Sequence, residues 1–153
     1  MNLITPISAF MTANPVSVSP GDSISVVKQI FAKNTFHHII VLENGAMVGI
    51  VSKSDYKAYF KYLNKHFDND FINDVLLETN KVSEIMTPKV ARLEPSDTLA
   101  VAVEVFKENL FHALPIVKDG AVVGIVTTHD LIIALSKEKI YDTDYKTAKS
   151  SEI

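Results

Sequence analysis

Gly49-Ile50-Val51-Ser52-Lys53-Ser54-Asp55 recurs later in the chain as Gly124-Ile125-Val126-Thr127-Thr128-His129-Asp130. In each copy an apolar, β-branched run stops at a hydroxyl residue and a carboxylate follows three positions on, the pattern of a strand ending where a helix begins. Outward from these stretches, residues 7–56 align with 82–131 without a gap, and about a third of the positions are identical. Met11-Thr12 repeats as Met86-Thr87, Asp22 as Asp97, Phe36-His37 as Phe111-His112, and Gly45-Ala46 as Gly120-Ala121. The chain therefore carries a duplicated supersecondary unit, and an approximate two-fold relation between the copies is expected.

Both copies present the same local signals in the same order. After Pro20-Gly21 and Pro95-Ser96, Asp22 and Asp97, or the neighbouring Ser23 and Thr98, can cap a helix by accepting from its first-turn amides. Ile24, Val27, Ile30 and Phe31 then fall on one helical stripe, as do Leu99, Ala102, Val103 and Phe106. Asn44-Gly45 and Asp119-Gly120 sit between two β-branched runs and tolerate the positive φ of a hairpin turn. A last helix begins near Ser54 or His129, and a first strand is read at 16–18 or 90–93. The fold class is α/β of the α+β type: a tandem pair of strand-helix-strand-strand-helix units with pseudo-two-fold symmetry.

The first unit spans 7–66 and the second 82–137, with a helical connection at 67–81. Across 56–81 Tyr56, Tyr59, Phe60, Leu63 and Phe67 share one helical face, Phe71, Ile72, Val75 and Leu76 form a second, and Asp68-Asn69-Asp70 breaks the two. These faces read either as core docked on the repeats or as a dimer or partner surface. The tail at 138–153 is polar, poor in apolar residues and expected to be disordered.

Composition excludes several function classes. The chain has 153 residues, 47% of them hydrophobic, enough to bury roughly two thirds of its unfolded surface in one body. Fifteen basic side chains face eighteen acidic ones, the single arginine is Arg92, and no cationic run occurs, so nucleic acid is not an expected partner. Cysteine is absent, which removes a thiolate nucleophile and fits a reducing compartment. No apolar run approaches the roughly 20 residues of a membrane span, and no signal segment opens the chain. A cytoplasmic protein without a membrane partner is the expectation. Walker, Rossmann and Gly-x-Ser-x-Gly motifs are missing, so no enzyme is expected. The histidines lack metal-site spacing and read as rim residues, so no metal is expected.

The strand-to-helix junctions carry the candidate chemistry. Hydroxyls at Ser52, Ser54 and Thr127 lie beside helix-start amides, a setting suited to phosphate oxygens, and Asp55 and Asp130 could accept from two adjacent sugar hydroxyls. The same Ser/Thr-x-x-Asp pattern reads equally well as a capping box with no ligand.

As a set, Met-Thr, Phe-His, the hairpin dipeptide and Gly-Ile-Val-Ser/Thr-x-x-Asp, duplicated over residues 7–135, resemble the cystathionine beta-synthase (CBS) domain pair, or Bateman module. The resemblance implies two repeats packed through their strands with adenosine-containing ligands in clefts between them. Carried over by position, one cleft takes Ile50, Ser52, Ser54 and Asp55 with Thr87, Val90, Ala91, His112 and Ala113. The other takes Ile125, Thr127, His129 and Asp130 with Thr12, Pro15, Val16, His37 and His38. Many nucleotide-binding members carry an arginine directly after the histidine, where this chain has His38 and Ala113. Lys53, Lys89 and Arg92 are the nearby cations that could compensate. The resemblance then implies a stand-alone, non-catalytic sensor that needs no cofactor. Its regulatory ligand would be AMP, ADP or ATP, with AMP preferred and a triphosphate disfavoured, or S-adenosylmethionine. It also implies a homodimer acting on an unidentified target protein. The alternative is a ligand-free dimerisation or scaffold module. Ser52, Ser54 and Asp55 make the first cleft the stronger candidate on sequence.

Overall fold

Asn44 and Gly45 take φ of 51° and 80°, and Asp119 and Gly120 take 51° and 83°, the doubly positive geometry of a two-residue hairpin turn whose twist suits antiparallel strands. The turns join β3 (His38–Glu43) to β4 (Ala46–Ser52) and β5 (Ala113–Lys118) to β6 (Ala121–Thr127). Even the irregularity is duplicated, since the register shifts between Val41 and Leu42 and between the equivalent Ile116 and Val117. The computed structural model describes residues 2–108 and 110–136; the tail expected at 138–153 lies outside the described residues.

Each sheet is completed by chain from the other repeat. One sheet runs β2 (Ser17–Val18), β3, β4, and the Thr87 backbone adds to its edge by exchanging hydrogen bonds of 2.8 and 3.0 Å with Ile50. The other runs β1 (Thr12–Ala13), β6, β5, with Thr12 opposite Ile125 and Ala13 opposite Gly124. The first strand expected at 16–18 is thus two residues long, and its equivalent at 90–93 shrinks to a single bridge from Leu93 to Ile116. Pro115 explains the difference. In repeat one the Ile40 amide donates to the Val16 carbonyl at 3.1 Å, but Pro115, at the equivalent position, has no N–H to make that rung.

The exchange continues into the cores. Ile7, in a short 3-10 turn, is fully buried among Leu99, Ala102, Leu114 and Ile116 of repeat two, while Val82 is buried among Val27, Ile39, Val41 and Val51 of repeat one. The helices α1 (Ile24–Lys33) and α4 (Leu99–Lys107) present the expected stripes, burying Ile24, Val27 and Phe31 in one and Leu99, Ala102 and Phe106 in the other. Asp22 and Asp97 do not cap them. Their Oδ2 atoms accept from the Ser19 and Glu94 amides at 2.7 Å, closing the preceding turns, and the N-caps Ser23 and Thr98 make no side-chain cap bond. No cap is needed at the first amide, because Ile24 N donates to the Asn80 carbonyl and Leu99 N to the Thr5 carbonyl, both from the segments that cross between repeats.

Two close approaches demand glycine. A Cβ on Gly49 would lie 2.9 Å from the Thr87 carbonyl oxygen, which is the acceptor of the Ile50 amide. Gly49→Ala should therefore lower stability by about 1–3 kcal/mol, read as a lowered urea midpoint with loss of exchange protection at the Thr87 amide. Gly124→Ala should be milder, since the nearest obstacle there is the flexible Met11 side chain.

Between the repeats, α2 (Lys53–His66) and α3 (Asp70–Thr79) break at 67–69 as expected. Leu63 of α2 is buried with Ile24 and Leu77, and Tyr56, Tyr59 and Phe60 pack around them. Of the second face only Leu76 packs against this cluster. Phe71, Ile72 and Val75 are 75%, 39% and 42% exposed, and α3 instead buries Asn73 and Leu77. Polar pairing selects that side, since Asn73 Nδ2 donates to Asn64 Oδ1 at 2.8 Å and Asn80 Nδ2 donates to the Tyr59 hydroxyl. The last described helix is α5 (Thr128–Ser136). No helix among the described residues is long and apolar enough to cross a membrane.

Candidate ligand-binding site

Both strand-to-helix junctions close as capping boxes. Asp55 Oδ2 accepts from the Ser52 amide at 2.8 Å and its hydroxyl at 2.6 Å, while the Asp55 amide donates back to Ser52 Oγ at 3.0 Å. Thr127 and Asp130 repeat this at 2.7, 2.7 and 3.2 Å. The hydroxyl protons of Ser52 and Thr127 are thereby spent on the aspartates, so these groups do not serve a phosphate as donors. The first helical amides are engaged as well, Lys53 N with the His37 carbonyl and Thr128 N with the His112 carbonyl. What remains at each junction is the aspartate's Oδ1, the amide of Ser54 or His129, and the free hydroxyl of the exposed Ser54 or the imidazole of the exposed His129. The ligand chemistry left is a carboxylate oxygen that can accept from hydroxyls, beside one backbone amide and one polar side chain.

The structure brings one of the two expected residue sets around a cavity. Thr12, Pro15, Val16, His37, His38, Ile125, Thr127, His129 and Asp130, the whole second cleft, line an opening of about 590 Å³ between the repeats. His112, assigned by position to the first cleft, lines this cavity too. Asn14, Thr35, Phe36 and Thr128 complete it and were not singled out as site residues. Asn14 had a signal available only in three dimensions. It and its equivalent Lys89 both adopt positive φ, 50° and 55°, a backbone reversal that no local sequence signal announces.

At the first cleft the expected residues meet, but largely by packing on one another. Ile50, Val90 and Ala113 are 7%, 9% and 3% exposed and form one apolar cluster with Ile40 and Ile125 at the inter-repeat interface. Thr87 is held by its backbone pairing to Ile50, Ala91 packs on the core of repeat two, and Ser54 faces solvent. Val90 and Ala113 turn into the interface, whereas their equivalents Pro15 and His38 remain on the cavity wall. The cavity thus lies at the second cleft, whereas the sequence favoured the first.

Charge at the cavity is sparse. Among the described residues Asp130 is its one carboxylate, and no lysine or arginine lines it. Arg92, named as a compensating cation, instead lines a separate depression with Glu94 and Asp119, and neither Lys53 nor Lys89 reaches the cavity wall. His38 is half-buried. Burial, then His37, and more weakly His112, lower its pKa from the ordinary histidine value against an opposing pull from Asp55. Among the described residues no cluster of His, Cys, Asp or Glu is arranged to hold a metal ion.

Comparison with known proteins agrees with the duplicated architecture. The family model described as CBS domain matches residues 7–62 and 82–137, well over half of the chain. A homoserine O-acetyltransferase of Methanocorpusculum labreanum is 28% identical over 135 residues, covering 86% of this chain but only 25% of its own length; an uncharacterized Methanocaldococcus jannaschii protein is likewise matched over 45% of its length. Among solved structures, the CBS domain pair of the protein MJ0100, in complex with 5′-methylthioadenosine and S-adenosyl-L-methionine, superposes with a TM-score of 0.72 at 21% identity, covering 89% of this chain and 99% of that one. CBSX2 in complex with AMP gives 0.69 at 24% identity, covering 86% and 96%. Two exchanged repeats, each with its hairpin, its crossing segment and its capped junction, account for both family matches, and the chain belongs to the CBS domain family as a tandem CBS pair.

Proposed function

We propose that the chain is a non-catalytic regulatory module that binds one adenosine-containing metabolite, AMP or S-adenosylmethionine, in the cavity between the repeats. The observation that carries this reading is the cavity itself. Its volume of about 590 Å³ suits a nucleoside-sized ligand, and its wall pairs apolar surface at Val16, Phe36 and Ile125 with the Oδ1 of Asp130. Apolar surface would take the adenine faces and the carboxylate two ribose hydroxyls. The complexes of MJ0100 and CBSX2 are adenosyl complexes in the same fold, which supports the ligand class. The acetyltransferase activity of the M. labreanum protein is not carried across, because the match spans a quarter of it.

Because both repeats line the cavity, a ligand that prefers one inter-repeat arrangement would shift the population towards it and so change affinity for a target protein. Isothermal titration with AMP, ADP, ATP and S-adenosylmethionine tests the reading. A ligand at a hundred times its dissociation constant should also add roughly 2.7 kcal/mol of stability, and no heat and no thermal shift from any of the four would refute it.

A second reading, a ligand-free assembly module in the cytoplasm, draws support from the closed capping boxes and from the exposed Phe71, Ile72 and Val75. It predicts a homodimer by sedimentation, with Phe71→Ser weakening it, and no response to any adenosyl compound.

A further inference from the structure

Four of the five histidines in the chain, His37, His38, His112 and His129, line this one cavity. They come from three places: His37 and His38 at the start of β3, His112 just before β5, and His129 in the first turn of α5. The duplication accounts for His37 and His112 only. Their equivalents show that His38 and His129 are additions, because the matching positions are Ala113 and Ser54. Among the described residues no permanent cation shares the wall. At neutral pH with uncharged imidazoles, the cavity carries the single negative charge of Asp130 and repels a phosphate; each imidazole that gains a proton turns it towards anions.

We propose that these four histidines determine which ligand the cavity takes, so that it selects an uncharged or cationic nucleoside compound when they are neutral and a nucleoside monophosphate when they are protonated. This rests on the adenosyl reading of the site and adds its charge selectivity. The charged and titratable groups facing the set are few. His38 feels His37, His112 and Asp55, the His37 carbonyl is bonded by the Lys53 amide and the His112 carbonyl by that of Thr128, and His129 lies beside Asp130. Burial lowers the pKa of His38 and so favours its neutral form. A bound phosphate would raise the pKa values of the imidazoles it touches, so its affinity must rise as pH falls through the histidine range.

Adenosine, AMP and S-adenosylmethionine titrated into the full chain by calorimetry at pH 8 and pH 6 give the test. AMP should tighten by about tenfold or more at the lower pH, the scale of a charge-assisted hydrogen bond, while adenosine shifts by less than about twofold. The AMP phosphate gains a proton of its own near pH 6, which works against this trend and makes the rise a conservative reading. In His112→Gln/His129→Gln, both exposed positions, the AMP slope with pH should flatten. Histidine proton NMR on the same samples should show imidazole pKa values rising with AMP but not with adenosine. An AMP affinity that is flat or weaker at pH 6 while adenosine binds overturns the proposal and leaves the adenosyl reading standing. Silence from all three ligands at both pH values removes that reading, and the proposal with it.

Discussion

Ile7→Ala should lower the free energy of unfolding by about 2–5 kcal/mol, a large part of the 5–15 kcal/mol typical of a domain, and the loss should appear in repeat two. Ile7 is fully buried in a cluster made otherwise of repeat-two residues. Its backbone is tied there too, with its amide on the Asp97 carbonyl at 2.7 Å. Truncation leaves a cavity between α4 and the sheet of β5 and β6 that the short 3-10 turn cannot easily collapse to fill. Urea denaturation monitored by amide exchange is the check. Protection should fall first at Leu114 and Val126, with Ile39 and Val51 retaining theirs. Ile4→Ala, at a side chain 74% exposed, serves as the control and should stay within about 0.5 kcal/mol. Equal loss in both repeats would mean that the exchange of leading segments does not couple them as described.

Asp130→Ala should weaken adenosyl-ligand binding by about ten- to a hundredfold, the effect of losing a hydrogen bond to a charged group. It should also cost the α5 cap, about 0.5–2 kcal/mol of stability, because the Thr127 amide and hydroxyl lose their acceptor. The two effects separate in a comparison with Asp55→Ala. That substitution breaks the equivalent box at Ser52 and should cost similar stability, yet change affinity by less than about threefold, since Asp55 does not line the cavity. Equal binding losses in the two variants would place the ligand at the first cleft or at both.

The duplicated order of elements was legible because the hairpin dipeptides, the helical stripes and the Ser/Thr-x-x-Asp junctions are local signals, and each occurs twice. What was not legible depends on long-range partners. Asp22 and Asp97 look like helix caps, but the amides they would serve are taken by Thr5 and Asn80 from far along the chain. Phe71, Ile72 and Val75 have a helical period, yet Asn73 and Asn80 find polar partners on α2 that rotate the other face inward. The residues expected at the second cleft all line the cavity, whereas the sequence had ranked the first cleft higher. Counting hydroxyls favoured Ser52 and Ser54, whereas in the structure Val90 and Ala113 pack into the interface and their equivalents Pro15 and His38 line the cavity. His112, assigned by position to the first cleft, lines this cavity as well, a placement that depends on which side of the pseudo-axis its side chain falls.

The central claim is that one adenosyl ligand sits in the second cleft. A crystal structure of the protein grown with saturating AMP near pH 6 tests it most directly. The account predicts a single nucleotide between the repeats with a ribose hydroxyl within hydrogen-bonding distance of Asp130 Oδ1 and the phosphate among the histidines. A nucleotide beside Asp55 and Thr87 with the second cleft free of density, or no nucleotide in either cleft, would contradict it.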